Sequence, residues 1–383
     1  MAIERMPITK EVLTSARERL GYTQEALARK RSEFKSIADW ESGVSKPTYR
    51  QLELLAKDLW VPVAIFFFPE PPQFPEIEKS FRTIGSQQFA EIPPRIRLLL
   101  HKARAFQIGL SELNDGQNPA RPMITRKLAF SLSDSAADMA AQVRAMLDVS
   151  LDEQFDWPDE DTALKAWRKA FYRVGVTVFK DAFREERYCG FSLYDDEFPL
   201  IYVNNSNTKT RQIFTIFHEL AHLLFKTSGI DTDYVFQHPL PDDKQQIEAT
   251  CNRLAAEILV PFDALTAEVH QQHATKALAE TLARKFSVSR EVVFRKFLDR
   301  GLVSAATYEA AKNEWDSQDK ARRGNGGGNF YRTRIAYLGE EYIGLALKRY
   351  YQDRIDEEEL ADYLAIKPKQ IEQLEDTLLE ASR

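Results

Sequence analysis

The stretch FTIFHELAHLLF, residues 214–225, sets two of the chain's six histidines four residues apart inside a strongly apolar run. In an α-helix, positions i and i+4 share a face, so His218 and His222 can offer two imidazole nitrogens to a single ion. Glu219, one position round the helix, is placed to reach a water on that ion. Phe214, Phe217, Leu220, Leu223 and Leu224 wall the helix into a core and give the pair a dry, rigid seat. The alternative, histidines serving as core filler, would bury two unpartnered imidazoles, which is costly. Zinc suits this donor set: it lowers the pKa of a water to about 7 and polarises a carbonyl, while a neighbouring carboxylate accepts the proton.

A catalytic zinc takes three protein ligands and leaves a fourth position open. The next helical run, QIEATCNRLAAEILVP at 246–261, offers Glu248 and Glu257. Ile247, Cys251, Leu254, Ala255 and Ile258 define its buried stripe; at 100° per residue Glu248 falls at the edge of that stripe and Glu257 points well away. Glu248 is therefore the expected third ligand. His238 lies in the intervening proline-bound loop and is expected at the surface, and His101, His270 and His273 are expected to have no part in the site.

Outward from this helix the chain is punctuated three times. PEPPQFPE (69–76) excludes helix and sheet interior and is expected to be an extended linker. NDGQNPARP (114–122) interrupts helical patterns at 96–110 and 137–151, and DSQDKARRGNGGGN (316–329) is a charged, glycine-rich hinge. GVTVFKD, YCGFSLYD and PLIYVNN are expected as short strands ahead of the HELAH helix. The fold class is thus α+β and mostly helical. The expected division is an N-terminal helical domain at 1–68, linker and helical connector at 69–155, a metal-site domain with a short sheet at 156–300, and a helical C-terminal segment at 301–383.

Composition excludes several classes. Hydrophobic residues make up 44% and charged residues 29% of 383, as in globular domains, and VPVAIFFF (61–68) is far shorter than the roughly 20 residues of a membrane span. Net charge is −6, from 52 basic and 58 acidic residues, which argues against a whole-chain nucleic-acid coat. The only cysteines, Cys189 and Cys251, form no CxxC framework, and MAIERMPITK has no apolar signal region, so a cytoplasmic protein without membrane contact is expected.

Two resemblances follow from quoted motifs. TQEALA (23–28), then I-x-x-WESG (37–43) and K-P-T (46–48), resemble the helix-turn-helix of Xre-type repressors across residues 8–68. That resemblance implies duplex-DNA contact through Lys35, Ser36 and Asp39 on a recognition helix, with Lys46 near the phosphates, although Lys30, Arg31, Ser32 and Glu33 stand where the family has apolar residues and a glycine. R-x-x-F-T-x-x-HELAH-L followed by E-x-x-C-N-x-L-A-A-E-I-L-V-P resembles the ImmA/IrrE family of zinc metallopeptidases, tightly over 199–261 and loosely over 156–300. It implies a zincin-like domain with His218, His222 and Glu248 as zinc ligands and Glu219 as general base. Phe81–Arg82 and GGGNFYRT (326–333) extend the likeness to longer members.

The function implied is a regulatory zinc endopeptidase that cleaves a transcriptional repressor or a toxin–antitoxin partner. The alternative is a DNA-binding regulator or antitoxin in which the peptidase fold is structural or only conditionally active. An extended substrate adding to a strand edge would find LIYVNN (200–205) as a candidate edge, the other reading being an ordinary buried strand. EELADYLAIKPKQIEQLE (358–375) has helix-turn-helix spacing with Lys367 and Lys369 opening its second helix, but the acidic residues ahead of it favour protein contact.

Overall fold

Helical runs with clear start signals dominate the chain, and the short apolar runs between them pair into one small sheet. The computed structural model describes residues 4–73, 91–226, 230–232, 242–269, 273–322 and 328–381. The expectations placed on Phe81, Arg82, His238 and His270, and on parts of the proline-rich linker and the glycine-rich hinge, lie outside these residues. The chain divides into two compact units, Met1–Arg104 and Ala105–Arg383.

The first unit holds α1 (Lys10–Arg19), α2 (Gln24–Lys30), α3 (Ile37–Ser42), α4 (Tyr49–Leu59) and the start of α5 (Pro94–Leu113). Thr23 opens α2, its hydroxyl accepting from Ala26 N at 3.1 Å. Leu13, Leu27, Phe34, Trp40, Leu52 and Leu55 fill the core. Glu41 accepts from Arg17 Nε at 2.6 Å and from Gln24 at 2.6 Å, tying α3 to α1 and α2. The expected recognition helix is shorter than its motif implied. Arg31 is extended and Ser32–Phe34 makes a single 3₁₀ turn that carries Phe34 into the core. Lys35 therefore closes that turn, Ser36 precedes α3, and Asp39 alone of the three lies within it. Gly43, at φ 83°, ends α3 in the left-handed conformation that glycine adopts without a Cβ clash. Lys35, Asp39 and Lys46 are exposed.

The second unit continues with α6 (Ile124–Lys127), α7 (Ala136–Leu147), α8 (Leu151–Phe155) and α9 (Glu160–Arg173). Strands β1 (Thr177–Asp181), β2 (Tyr188–Leu193) and β3 (Leu200–Asn204) follow, then α10 (Lys209–Leu224), which carries the two histidines, and β4 (Ile230–Thr232). Next come α11 (Asp242–Leu259), α12 (Phe262–Val269), α13 (Lys276–Phe286), α14 (Arg290–Asp299) and α15 (Ala305–Arg322). The C-terminal helices are α16 (Phe330–Leu338), α17 (Glu340–Tyr351), α18 (Glu357–Tyr363) and α19 (Ile371–Ala381). The mostly helical α+β class stands.

Strand order is β1-β3-β2-β4, with β1 parallel to β3 and β2 antiparallel to both its neighbours. LIYVNN is thus no edge: all five residues of β3 are buried and both of its sides are paired, as its unbroken apolar run suits. At the β1 edge Arg168 donates to Val178 O at 2.7 Å and reaches the carbonyls of Ala336 and Tyr337 at 2.8 and 3.4 Å, joining the strand to α16. Phe217 of α10 meets Trp167 and Phe171 of α9 edge to face at 4.8 and 5.1 Å. Each such large apolar side chain contributes roughly 1.5–3 kcal/mol through burial. Ile124, Met139 and Val143 from the expected connector, and Tyr308 and Trp315 from the expected C-terminal segment, lie in this same core. Among the described residues, no helix is long and apolar enough to cross a membrane.

Candidate metal centre

Nearly every residue of α10 from Ile213 to Leu224 is buried, because the helix lies on β2 and β3 with α9 and α11 beside it. Its approach to β2 depends on Gly190, where a Cβ would collide with Thr215 Cγ2 and stand 3.0 Å from Tyr202 O. The far end of α11 is fixed by groups from the preceding helices. Arg144 of α7 donates to Ile258 O at 2.9 Å, and Gln154 of α8 donates to Leu259 O at 3.0 Å, filling carbonyls that a helix end leaves open. Glu257, which sequence periodicity turned away from the core, forms a half-buried pair with Lys296 at 2.5 Å and also accepts from Phe262 N. It is thereby occupied far from the histidines' face, while Glu248, nine residues earlier, reaches them.

His218, His222 and Glu248 come together as a group that could hold a metal ion. His218 Nε2 and His222 Nε2 are 3.1 Å apart, and the Glu248 carboxylate oxygens lie 3.2 Å from the first and 3.4 Å from the second. Three donors bonded to one tetrahedral ion at ~2.0–2.1 Å stand ~3.3 Å from one another, the edge of that tetrahedron. The contacts here, through Oε2 to His218 and Oε1 to His222, are of that order, and two imidazoles with a carboxylate are a donor set that suits a transition-series ion.

His218 Nδ1 lies 3.0 Å from Asn252 Oδ1. The amide oxygen accepts the Nδ1 proton, which leaves the Nε2 lone pair directed at the shared point. Burial disfavours a charged His222, but contacts with Cys251 and Glu248 outweigh it and raise its pKa well above the ordinary imidazole value. Burial likewise would raise the Glu248 carboxyl, yet its interactions with the two histidines hold it well below the usual carboxylate range. A bound metal would need these groups deprotonated and would displace any proton they hold.

Glu219 is fully buried, and its Oε2 accepts from Ser192 Oγ of β2 at 2.6 Å. That hydrogen bond fixes the orientation of the Glu219 side chain, which stands beside His218 in sequence. Of the remaining histidines among the described residues, His101 is half-buried, with its pKa pushed down to about 4 by burial and the nearby Arg19, and His273 is exposed.

Asn252 and Ser192 escaped the sequence reading. Asn252 carried a usable signal, standing four residues after Glu248 on the same helical face; Ser192, on a separate strand, carried none. Replacing Asn252 by alanine is expected to weaken metal binding by roughly 10–100-fold, as loss of an imidazole-orienting partner does elsewhere. Competition against a chromogenic chelator measures this, and a change under about twofold would show that the amide does not orient His218.

Residues 172–297 match the family model of the IrrE N-terminal-like domain, Peptidase M78. The match encloses α10 and α11 with both motifs, and it supports a metallopeptidase of the IrrE/ImmA type for this segment. It ends short of the N-terminal unit, whose resemblance it does not touch. A comparison with curated proteins finds no match to the chain.

Proposed function

We propose that the IrrE-type segment is a zinc-dependent endopeptidase of regulatory kind, acting on a repressor-type protein or a toxin partner. The observation that carries the reading is the convergence of His218, His222 and Glu248, a group whose donor atoms lie close enough together to hold one metal ion. These three residues would hold the zinc. The bound ion supplies a water of lowered pKa and polarises the scissile carbonyl. Glu219 is the base: its carboxylate accepts the water's proton and returns it to the leaving amine nitrogen. Ser192 keeps that carboxylate from rotating away, and the buried flank of α10 keeps the histidines rigid.

The N-terminal unit is proposed as a docking module for duplex DNA through Lys35, Ser36, Asp39 and Lys46, supported by the exposure of both lysines. In the second reading the protein is a DNA-binding regulator or antitoxin and its metal site is structural. The buried Ser192–Glu219 bond favours the peptidase, since a purely structural site needs no carboxylate fixed at that position.

The test is incubation of the full chain with repressor-type helix-turn-helix proteins. Cleavage is expected to stop on treatment with 1,10-phenanthroline and to return with added zinc. A chain that binds no zinc after zinc incubation, or cleavage indifferent to the chelator, would remove the reading.

A further inference from the structure

The outer face of α17 and the turn that follows α5 enclose a cleft of about 870 Å³, within the size range of small-ligand sites. Tyr342, Ile343, Ala346 and Leu347 bury one side of α17, so Glu341, Gly344, Leu345 and Lys348, at i, i+3, i+4 and i+7, line the cleft from the other. The facing wall runs from Asn114 to Arg121 and is held by its own bonds. Asn118 donates to Gly175 O at 3.0 Å and to Glu197 O at 2.7 Å. Asp115 accepts from Arg349 at 2.8 Å and from Arg354 at 2.9 Å, and Arg121 Nη1 turns back to Ala120 O at 2.7 Å.

Those pairings leave other groups of the cleft over. The Glu341 carboxylate, the Lys348 ammonium and the Tyr172 hydroxyl have no hydrogen-bond or ion-pair partner among the described residues, and the side-chain amides of Gln117 and Gln352 are likewise uncommitted. Glu341 and Tyr172 are half-buried, and burial together with Glu341 raises the Tyr172 pKa, which keeps the phenol protonated. Seven residues of helix separate Glu341 from Lys348 by roughly 10 Å along the axis, too far for the two to neutralise each other. Between them the floor is open, since a Cβ on Gly344 would meet nothing within 4 Å.

We propose that this cleft binds a short zwitterionic peptide of about three residues, its terminal ammonium on Glu341 and Tyr172 and its terminal carboxylate on Lys348. An extended chain of that length spans roughly 10 Å, the rise between the two charged side chains. Gly344 lets the peptide backbone come close to the helix, and Leu345 meets an apolar side chain. The amides of Gln117 and Gln352 each offer a donor and an acceptor, which is what a peptide group requires. The cleft shares no residue with the metal centre and stands without the peptidase reading.

Isothermal titration calorimetry of the full chain with tri-alanine, in EDTA so that the metal centre holds no ion, tests it. Wild type is expected to bind the peptide saturably, and N-acetylation or C-terminal amidation should each weaken binding by about fivefold. Glu341→Gln should no longer distinguish free from N-acetylated tri-alanine, and Lys348→Gln should no longer distinguish free from amidated, because each variant lacks the group that reads that end. Gly344→Phe projects into open space from an exposed helical position, so it should melt no lower than wild type while losing about tenfold or more in affinity. No saturable binding by wild type, equal binding of free and doubly capped peptide, or unchanged affinity in Gly344→Phe overturns the site.

Discussion

Glu219→Gln should lower peptide-bond cleavage by about 10²–10⁴-fold, equivalent to about 3–5 kcal/mol of barrier, while metal content stays at the wild-type level. Glutamine keeps the volume of a fully buried side chain and still accepts from Ser192 Oγ through its amide oxygen, so the packing between α10 and β2 survives. What it removes is the proton acceptor. Cleavage of a repressor-type substrate, measured beside elemental analysis of the same preparation, separates the two properties. Activity within tenfold of wild type would show that another group takes the proton, and the assignment of Glu219 would go.

Glu248→Ala should cost more in metal than the roughly 10–100-fold of a supporting residue, because it deletes a donor atom and leaves two imidazoles alone in a buried site. In the free protein the Glu248 carboxylate also lies 3.2 Å from His218 Nε2 and 3.4 Å from His222 Nε2. The variant should therefore emerge with substoichiometric metal and with no cleavage at any zinc concentration near that which saturates wild type. Inductively coupled plasma analysis after dialysis is the measurement. Full metal retention would hand the third position to another group, with His238 the nearest rival in sequence.

The parts of this centre that were legible in the sequence share a cause. His218 and His222 stand on one helix, where spacing alone fixes their relation, and Glu248 could be chosen over Glu257 because the apolar stripe of its helix set its direction. The companions of these residues depend on contacts between distant segments. Ser192 reaches Glu219 from a strand 27 positions earlier, and Arg144 reaches Ile258 across 114 positions; no local period encodes either. Strand β4 was missed because three residues carry too little pattern. Of the two readings of LIYVNN, edge or ordinary buried strand, pairing on both sides supports the buried strand, which its unbroken apolar run suits. In the N-terminal unit the resemblance implied one helix carrying Lys35, Ser36 and Asp39, whereas the 3₁₀ turn at Ser32–Phe34 and the start of α3 at Ile37 leave only Asp39 within a helix.

The guanidinium of Arg168 gives the sheet a polarity that its four strands alone would not have. A bare outer strand is a template on which any extended chain, including a second copy of this one, can grow. By occupying the Val178 carbonyl and stitching it to α16, Arg168 closes that template on the β1 side. Addition of another chain on the β1 side would first have to release that guanidinium from the Val178 carbonyl.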